Sequence, residues 1–323
     1  MKNISEYASI IENAINNSKL PTDNLPTLYE PIVYGMAAGG KRLRPVLTIM
    51  TSDAFGGDIN NAINPAIGLE MFHNFTLLHD DVMDNSDLRR GRPTVHKQWN
   101  ENTAILSGDT MLTLATQLVS DVDDSKLRTT LDTFNRMAID VYEGQQIDMD
   151  FEQRNDVCID EYIKMITGKT SALLGCAAKI GAIVANASAD DQQRMYDFGV
   201  SLGVAFQIQD DYLDLYGDAA TFGKPIGGDV LNNKKTFLPL TALMSVSNKM
   251  SAELNEAFNM PACEEKISRI RELFTSIGVP QKCEETIERY SQLAAKMIDS
   301  TNMTNEGKKA FHSLIEKLIK RNK

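Results

Sequence analysis

Two acidic triplets with the same spacing are the residues of this sequence best suited to chemistry. They comprise Asp80, Asp81 and Asp84 in HDDVMD, and Asp210, Asp211 and Asp214 in QDDYLD. Each triplet lies in an apolar run with helical spacing, and carboxylates four residues apart share one face of a helix. Such neighbours repel each other, whereas Mg²⁺ binds one or two carboxylates together with substrate phosphates. The pattern therefore predicts two helices that face each other and hold a diphosphate through metal ions, rather than two solvated helix faces.

Basic residues that could contact phosphate oxygens accompany both triplets. Arg89 and Arg90 follow the first triplet, and planar guanidinium groups match phosphate oxygens well. Lys41, Arg42 and Arg44 follow two glycines in GGKRLRP. The alternative for this group is a solvated helix start, although cations are disfavoured at a helix N-terminus. A Gly-rich segment after the second triplet is expected to cover a diphosphate, and it contains Lys224, Lys234 and Lys235.

Two polar residues lie one or two helical turns from the triplets. His73 precedes Asp80 by seven residues, so the imidazole shares the face of that carboxylate. A core histidine is the usual interpretation of such a residue, and the shared face makes a role in ligand binding an equal alternative. Gln207 precedes Asp210 by one turn and is expected near the same ligand.

A cation and a hydroxyl lie side by side in ITGKTS, where Lys169 and Thr170 open a helix rich in small residues. Small residues allow close helix packing or leave room for an apolar ligand. The GKT sequence matches only the end of a phosphate-binding P-loop, because Ile163 stands where that motif needs glycine. With no strand predicted before it, we exclude nucleotide binding at this segment.

Composition and charge exclude several classes of protein. The chain has 323 residues, 42% of them hydrophobic, and a net charge of −11, which argues against nucleic acid as a partner. Its four cysteines have no zinc-binding spacing. Neither an apolar signal core nor a run of 18 apolar residues is found. We therefore expect a cytoplasmic protein without a membrane span.

Helical periodicity extends along most of the chain, whereas strand alternation is nearly absent. The longest predicted helices run near 60–84, 101–119, 125–153, 159–185 and 189–216. An all-α bundle follows. If both triplets face one pocket, a domain boundary between them is disfavoured, and we expect a single all-helical domain over residues 1–323.

The motifs together resemble those of the trans-isoprenyl diphosphate synthases, the polyprenyl synthetase family. The matching segments are GGKRLRP, HDDVMDNSDLRRGRPTVH, the GKT pair, FQIQDDYLD and GGDVLNNKKT. The resemblance implies an isoprenoid-synthase-type helical bundle around a deep central cavity, usually dimeric, with three magnesium ions. It also implies head-to-tail condensation of isopentenyl diphosphate with allylic diphosphates.

The resemblance assigns roles to individual residues. The metal ligands fall on Asp80, Asp84 and Asp210, with Asp81, Asp211 and Asp214 nearby or acting through water. The implied ligands of the allylic diphosphate are Arg89, Lys169, Lys224 and Lys234. Those of isopentenyl diphosphate are Lys41, Arg44, His73 and Arg90. Thr170 and Gln207 flank the reacting carbon, and the carbonyl and hydroxyl oxygens near Lys169, Thr170 and Gln207 stabilise the allylic cation.

The length of the product is expected to depend on Phe75 and Thr76. Phe75 precedes Asp80 by five residues, about 7.5 Å along a helix axis. A chain growing along this helix would meet the aromatic ring as a floor, since Thr76 beside it is small. In the family, an aromatic residue here accompanies short products, so we expect C15 to C20.

Two alternatives remain for the activity. A class I terpene cyclase shares the fold and the first acidic motif, but its second metal motif differs from DDYLD and it needs no second diphosphate site. A non-catalytic subunit of a heteromeric synthase usually lacks one acidic triplet, whereas both are intact here. Both comparisons favour the synthase.

Overall fold

The structure is a computed structural model that describes residues 1–218, 226–246 and 248–319. Helices dominate this part of the chain, and the predicted all-α class is confirmed. The helices are α1 (Ile4–Asn17), α2 (Pro26–Met36), α3 (Leu43–Ala54), α4 (Asn60–Met83), α5 (Val95–Gln98), α6 (Glu101–Val119), α7 (Asp124–Glu152), α8 (Ile159–Ile166), a π-helix (Thr167–Ser171), α9 (Ala172–Val184), α10 (Ala189–Tyr216), α11 (Gly228–Leu231), α12 (Phe237–Ser245), α13 (Asn248–Phe258), α14 (Glu264–Ile277), α15 (Val279–Asp299) and α16 (Asn305–Ile319). Strands β1 (Leu88–Arg89) and β2 (Arg92–Pro93) form an antiparallel hairpin. Among these helices, none is long and apolar enough to cross a membrane.

The chain divides into two compact units, each assembled from three stretches of sequence. Unit 1 comprises Met1–Arg136, Cys176–Tyr196 and Thr301–Ala310. Unit 2 comprises Met137–Gly175, Asp197–Ser300 and Phe311–Lys323. The first acidic triplet belongs to unit 1 and the second to unit 2. The single domain expected from the sequence stays a prediction.

In unit 1, helix α4 is the central element and packs against α3 and α6. Two glycines bring α4 and α6 close together. A methyl group at Gly68 would lie 2.8 Å from the carbonyl oxygen of Ala115, and one at Gly108 would lie 2.2 Å from Nε2 of His79. This packing buries one side of α4 and fixes its C-terminal end, which carries the first acidic triplet.

In unit 2, helix α10 and the π-helix are held at very short range. A methyl group at Gly203 would lie 2.7 Å from Cα of Ser171. On the other side, a methyl group at Gly144 of α7 would lie 2.2 Å from the backbone nitrogen of Lys169. The sequence predicts one continuous helix over 159–185, but the structure inserts a π-helical turn at Thr167–Ser171. Such turns often occur at functional sites.

Candidate active site

The first acidic triplet is divided between two roles. Asp80 is half-buried and Asp84 is exposed at the end of α4, where the Asp84 backbone N–H donates to the Asp80 carbonyl at 2.8 Å. Asp81 is buried and accepts hydrogen bonds from Arg89 Nε at 2.8 and 2.9 Å. The guanidinium of Arg89 therefore has a fixed carboxylate partner, whereas Asp80 and Asp84 lie one turn apart on one face of the helix.

A second group in unit 1 brings together three residues that the sequence analysis assigned to one diphosphate. They are Arg44 after the GGKRLRP glycines, His73 on α4 and Arg90 in the hairpin turn. Arg90 packs against Gly40, where an added Cβ would lie 2.6 Å from Nη1 of the guanidinium. Burial and the positive charge of Arg90 lower the pKa of Arg44. Lys41 lies exposed in the same loop as Arg44.

The surroundings of His73 disfavour the protonated form of its imidazole. Burial lowers its pKa well below the usual value, and nearby positive charges add to the effect. These charges are the guanidinium groups of Arg44, Arg90, Arg89 and Arg42. Nε of Arg44 is buried and finds no hydrogen-bond acceptor among the described residues. An unsatisfied cationic donor beside further cations fits an anionic ligand.

Arg42, which the sequence groups with the phosphate-binding cations, instead has fixed protein partners. Its side chain donates to Glu12 Oε1 at 2.7 Å, to Glu70 Oε1 at 2.8 Å and to the Met36 carbonyl at 2.7 Å. Glu12 and Glu70 carry no local sequence signal for this contact, because they lie 30 and 28 residues away along the chain.

The three carboxylates of the second acidic triplet also differ in burial and in their contacts. Asp211 is buried and accepts hydrogen bonds from the hydroxyl of Tyr162, from Gln207 Nε2 at 3.1 Å and from the Phe237 backbone N–H at 3.2 Å. Burial, with the nearby charge of Asp229, raises the pKa of Asp211 to about 7. Asp210 and Asp214 are half-buried.

Asp229 in unit 2 is an acidic residue outside both triplets. Its backbone N–H donates to Asp214 Oδ2 at 3.0 Å, so Asp214 accepts a hydrogen bond at the first turn of α11. The GGD sequence that closely follows the second triplet is the signal that could have pointed to it.

Lys169 and Thr170, the predicted cation–hydroxyl pair, lie in the π-helix and contact other residues of unit 2. Lys169 Nζ lies 2.5 Å from Asp148 Oδ2 of α7. The hydroxyl of Thr170 donates to Gln207 Oε1 at 3.1 Å. The structure thus joins Thr170 and Gln207, two residues to which the family resemblance assigns places beside the reacting carbon, and Asp148 is an unpredicted partner of Lys169.

Two remaining predicted residues follow the second triplet. Lys224 lies outside the described residues, and Lys234 is exposed.

On α4, Phe75 is buried against Phe72 and His79. Its ring centroid lies 5.6 Å from that of Phe72 and 4.8 Å from that of His79. The Thr76 hydroxyl donates to the His73 carbonyl at 2.8 Å.

The donor set of unit 1 suits a hard divalent cation. Within the described residues, no group of three or more His, Cys, Asp or Glu side chains is arranged to hold a metal ion. Asp80 and Asp84 offer two carboxylates on one helix face, which fits Mg²⁺ because that ion combines one or two carboxylates with substrate phosphates and water.

Comparison with known proteins defines the class to which this fold and site belong. The sequence model of the polyprenyl synthetase family matches residues 25–276, and the chain belongs to this family. It is 36% identical to geranylgeranyl diphosphate synthase of Saccharolobus solfataricus over 99% of this chain and 98% of that protein. These matches confirm the predicted family and the prenyltransferase class.

Solved structures agree with this assignment. The structure superposes on a crystal structure of a geranylgeranyl pyrophosphate synthase with a TM-score of 0.93 and 42% sequence identity. The alignment covers 100% of both chains. A geranylgeranyl pyrophosphate synthase of Corynebacterium glutamicum, crystallised with isoprenyl diphosphate and magnesium, has a TM-score of 0.81 and 25% identity and covers 99% of this chain and 96% of that one. The all-α isoprenoid synthase fold predicted from the motifs is thereby confirmed.

Proposed function

We propose that this protein condenses isopentenyl diphosphate head to tail with allylic diphosphates and releases a short-chain all-trans prenyl diphosphate. The observation that carries the proposal is the group of Arg44, His73 and Arg90, in which a buried Arg44 Nε has no acceptor among the described residues. This group offers cationic and imidazole N–H donors, whereas the acidic triplet of the same unit offers carboxylates. Two diphosphate substrates need two modes of binding, whereas a terpene cyclase binds only one diphosphate.

Magnesium is the proposed cofactor, and the resemblance to the family implies three ions. Asp80, Asp84 and Asp210 would hold them, and the magnesium bound by the Corynebacterium glutamicum relative supports the choice of metal. When bound, magnesium neutralises the charge that develops on a leaving diphosphate. Arg89, Lys169, Lys224 and Lys234 are the proposed cationic ligands of the same diphosphate.

The residues of unit 2 are suited to stabilise an allylic cation. The allylic C–O bond breaks, and its electron pair leaves with the diphosphate. Gln207 donates its amide N–H to Asp211, so its carbonyl oxygen is turned towards Thr170. The partial negative charges of these two oxygens favour a nearby cation, provided that water is excluded from the cavity.

Isopentenyl diphosphate is the proposed ligand of Lys41, Arg44, His73 and Arg90. Because the pKa of His73 is lowered, its neutral ring can donate one N–H to a phosphate oxygen. The double bond of isopentenyl diphosphate attacks the allylic cation to form the new C–C bond. The proton is then lost to the departed diphosphate, so no protein base is required.

We propose C15 to C20 as the product range, with Phe75 and Thr76 as the determinants on α4. Relatives named geranylgeranyl diphosphate synthase support the upper end of this range. We further propose a cytoplasmic homodimer. Ile105 and Leu106 of α6 are the proposed interface residues, since their apolar side chains are 43% and 59% exposed.

Product analysis tests this function directly. The purified protein is incubated with magnesium, isopentenyl diphosphate and a C5, C10 or C15 allylic diphosphate, and the chain lengths are determined by mass spectrometry. We expect linear C15 or C20 diphosphates, and none after magnesium is removed with EDTA. A cyclic hydrocarbon from the allylic substrate alone, or no condensation with any primer, would refute the proposal.

A further inference from the structure

The segment that presents Lys41 and Arg44 has an unusual backbone at Arg42. Arg42 adopts a left-handed conformation, with φ 45° and ψ 34°, although it is not a glycine. Such a conformation is strained and persists only when surrounding contacts enforce it. The contacts that hold Arg42 therefore determine where the neighbouring cations lie.

Three separate elements hold the Arg42 guanidinium. Glu12 lies on α1, Glu70 lies on α4, and the Met36 carbonyl lies at the end of α2, each 2.7 or 2.8 Å from a different guanidinium nitrogen. The contact with Glu70 is buried on both sides, since the Arg42 and Glu70 side chains are 3% and 5% exposed. Water cannot replace either partner, so this pair fixes the conformation of the segment.

Glu70 also acts on the cations that face the proposed second diphosphate. Burial lowers the pKa of both Arg44 and Arg90, and the negative charge of Glu70 opposes this lowering in each case. The Arg90 guanidinium also lies against Gly40, two residues before Arg42. Glu70 Oε1 accepts hydrogen bonds from Arg42 Nη1 at 2.8 Å and from Asn74 Nδ2 at 3.4 Å. In the described part of the chain, Arg44 and Arg90 form no ion pair, so their donors stay available for a ligand.

We propose that Glu70 and Arg42 form a buried clamp that positions Lys41, Arg44 and Arg90 for the isopentenyl diphosphate. Both are positioning residues and need not touch the substrate. The buried Glu70 carboxylate binds Arg42, which lies two residues from Arg44 and two residues from Gly40, against which Arg90 packs. This inference rests on the proposed function.

Glu70→Gln is the decisive variant, because the amide keeps the size of the side chain and removes its charge. We expect the KM for isopentenyl diphosphate to rise roughly tenfold or more, since breaking a buried charged pair disturbs the groups that it holds. The KM for the allylic diphosphate should change less than about threefold, and kcat should change less than the KM for isopentenyl diphosphate.

Asp191→Asn is the matched control. Asp191 is a buried carboxylate of unit 1 that pairs with Arg194 at 3.0 Å and with Asn302, away from the Arg44 group. It should lower thermal stability as Glu70→Gln does but leave the KM for isopentenyl diphosphate unchanged. If Glu70→Gln does not fold, Arg42→Lys tests the same clamp, because an ammonium group cannot satisfy three acceptors in the fork geometry.

An unchanged or lower KM for isopentenyl diphosphate in the folded variant would overturn the clamp. A lower KM would mean that Glu70 only weakens the positive charge felt by the substrate. The proposed function and the proposed clamp can be tested separately. A wild-type protein without condensation activity refutes the proposed function, whereas an active wild type with an unaltered Glu70→Gln variant refutes the clamp alone.

Discussion

Arg89 and Asp81 form a close ion pair, with Arg89 Nη2 2.7 Å from Asp81 Oδ1. The Asp81 side chain is only 6% exposed, and Arg89 Nε contacts both of its carboxylate oxygens. Because Asp81 is held in this ion pair, its role differs from that of the other two carboxylates of the triplet. Asp81 orients a cation of the protein, whereas Asp80 and Asp84 are the carboxylates proposed to hold magnesium.

Substitution of Asp81 and of Asp80 should therefore have different consequences. Asp81→Asn should raise the KM for the allylic diphosphate by about tenfold, because Arg89 loses its charged partner, but should leave the magnesium dependence unchanged. Asp80→Asn should lower kcat by about 10²-fold or more and raise the magnesium concentration needed for half-maximal rate. Initial rates across a magnesium titration would measure both effects, and identical titration curves would contradict this division.

The long helices could be predicted closely from the sequence. The predictions 60–84, 101–119 and 189–216 correspond to α4 (Asn60–Met83), α6 (Glu101–Val119) and α10 (Ala189–Tyr216). Extended apolar periodicity and clear turn signals mark these helices. The π-helical turn at Thr167–Ser171 could not be predicted, because it depends on the close approach of α7 at Gly144, a tertiary contact.

The candidate site could be predicted in part. The assignment of Arg44, His73 and Arg90 to one diphosphate rests on the family resemblance and stays a prediction. Asp148 and Glu70 were missed because a single acidic residue on a helix gives no sign of its partner. Their partners, Lys169 and Arg42, lie 21 and 28 residues away along the chain, and only the fold brings them into contact.

Gly144→Ala should destabilise the protein and displace Lys169. The new methyl group would lie 2.2 Å from the Lys169 backbone nitrogen, and backbone atoms in packed helices cannot move aside cheaply. We expect a loss of about 1–3 kcal/mol in the free energy of unfolding and a lower kcat. Thermal melts and steady-state rates would measure the two effects.

Gly35→Ala is the control for that substitution. An added Cβ at Gly35 of α2 meets no atom within 4 Å, so the usual preference of a helix for alanine should apply. Stability should rise by roughly 0.5–1 kcal/mol. Equal effects at the two glycines would contradict the proposed contact between α7 and the π-helix.

The lowered pKa of His73 should make the unliganded protein sensitive to acid. Below pH about 6.5 an unfolded histidine takes up a proton, but the folded ring resists it among the arginines. The unfolded state then binds more protons, so the free energy of unfolding falls as the pH decreases, by at most about 1.4 kcal/mol per pH unit. Denaturant titrations of wild type and His73→Gln between pH 7.5 and 5 would isolate this contribution. A stability difference that stays constant over this range would exclude it.

Phe75→Ala should lengthen the product. Phe75 is 6% exposed and lies on α4 one turn from Phe72 and His79, so its removal opens space at the depth where a growing chain is expected to stop. We expect diphosphates longer than C20, together with a stability loss of ~3–5 kcal/mol. Phe198→Ala controls for that loss, because Phe198 is fully buried and packs edge-on against Phe311 in unit 2. It should be destabilised to a similar extent and keep the wild-type product. If both variants keep the wild-type chain length by mass spectrometry, Phe75 does not limit elongation.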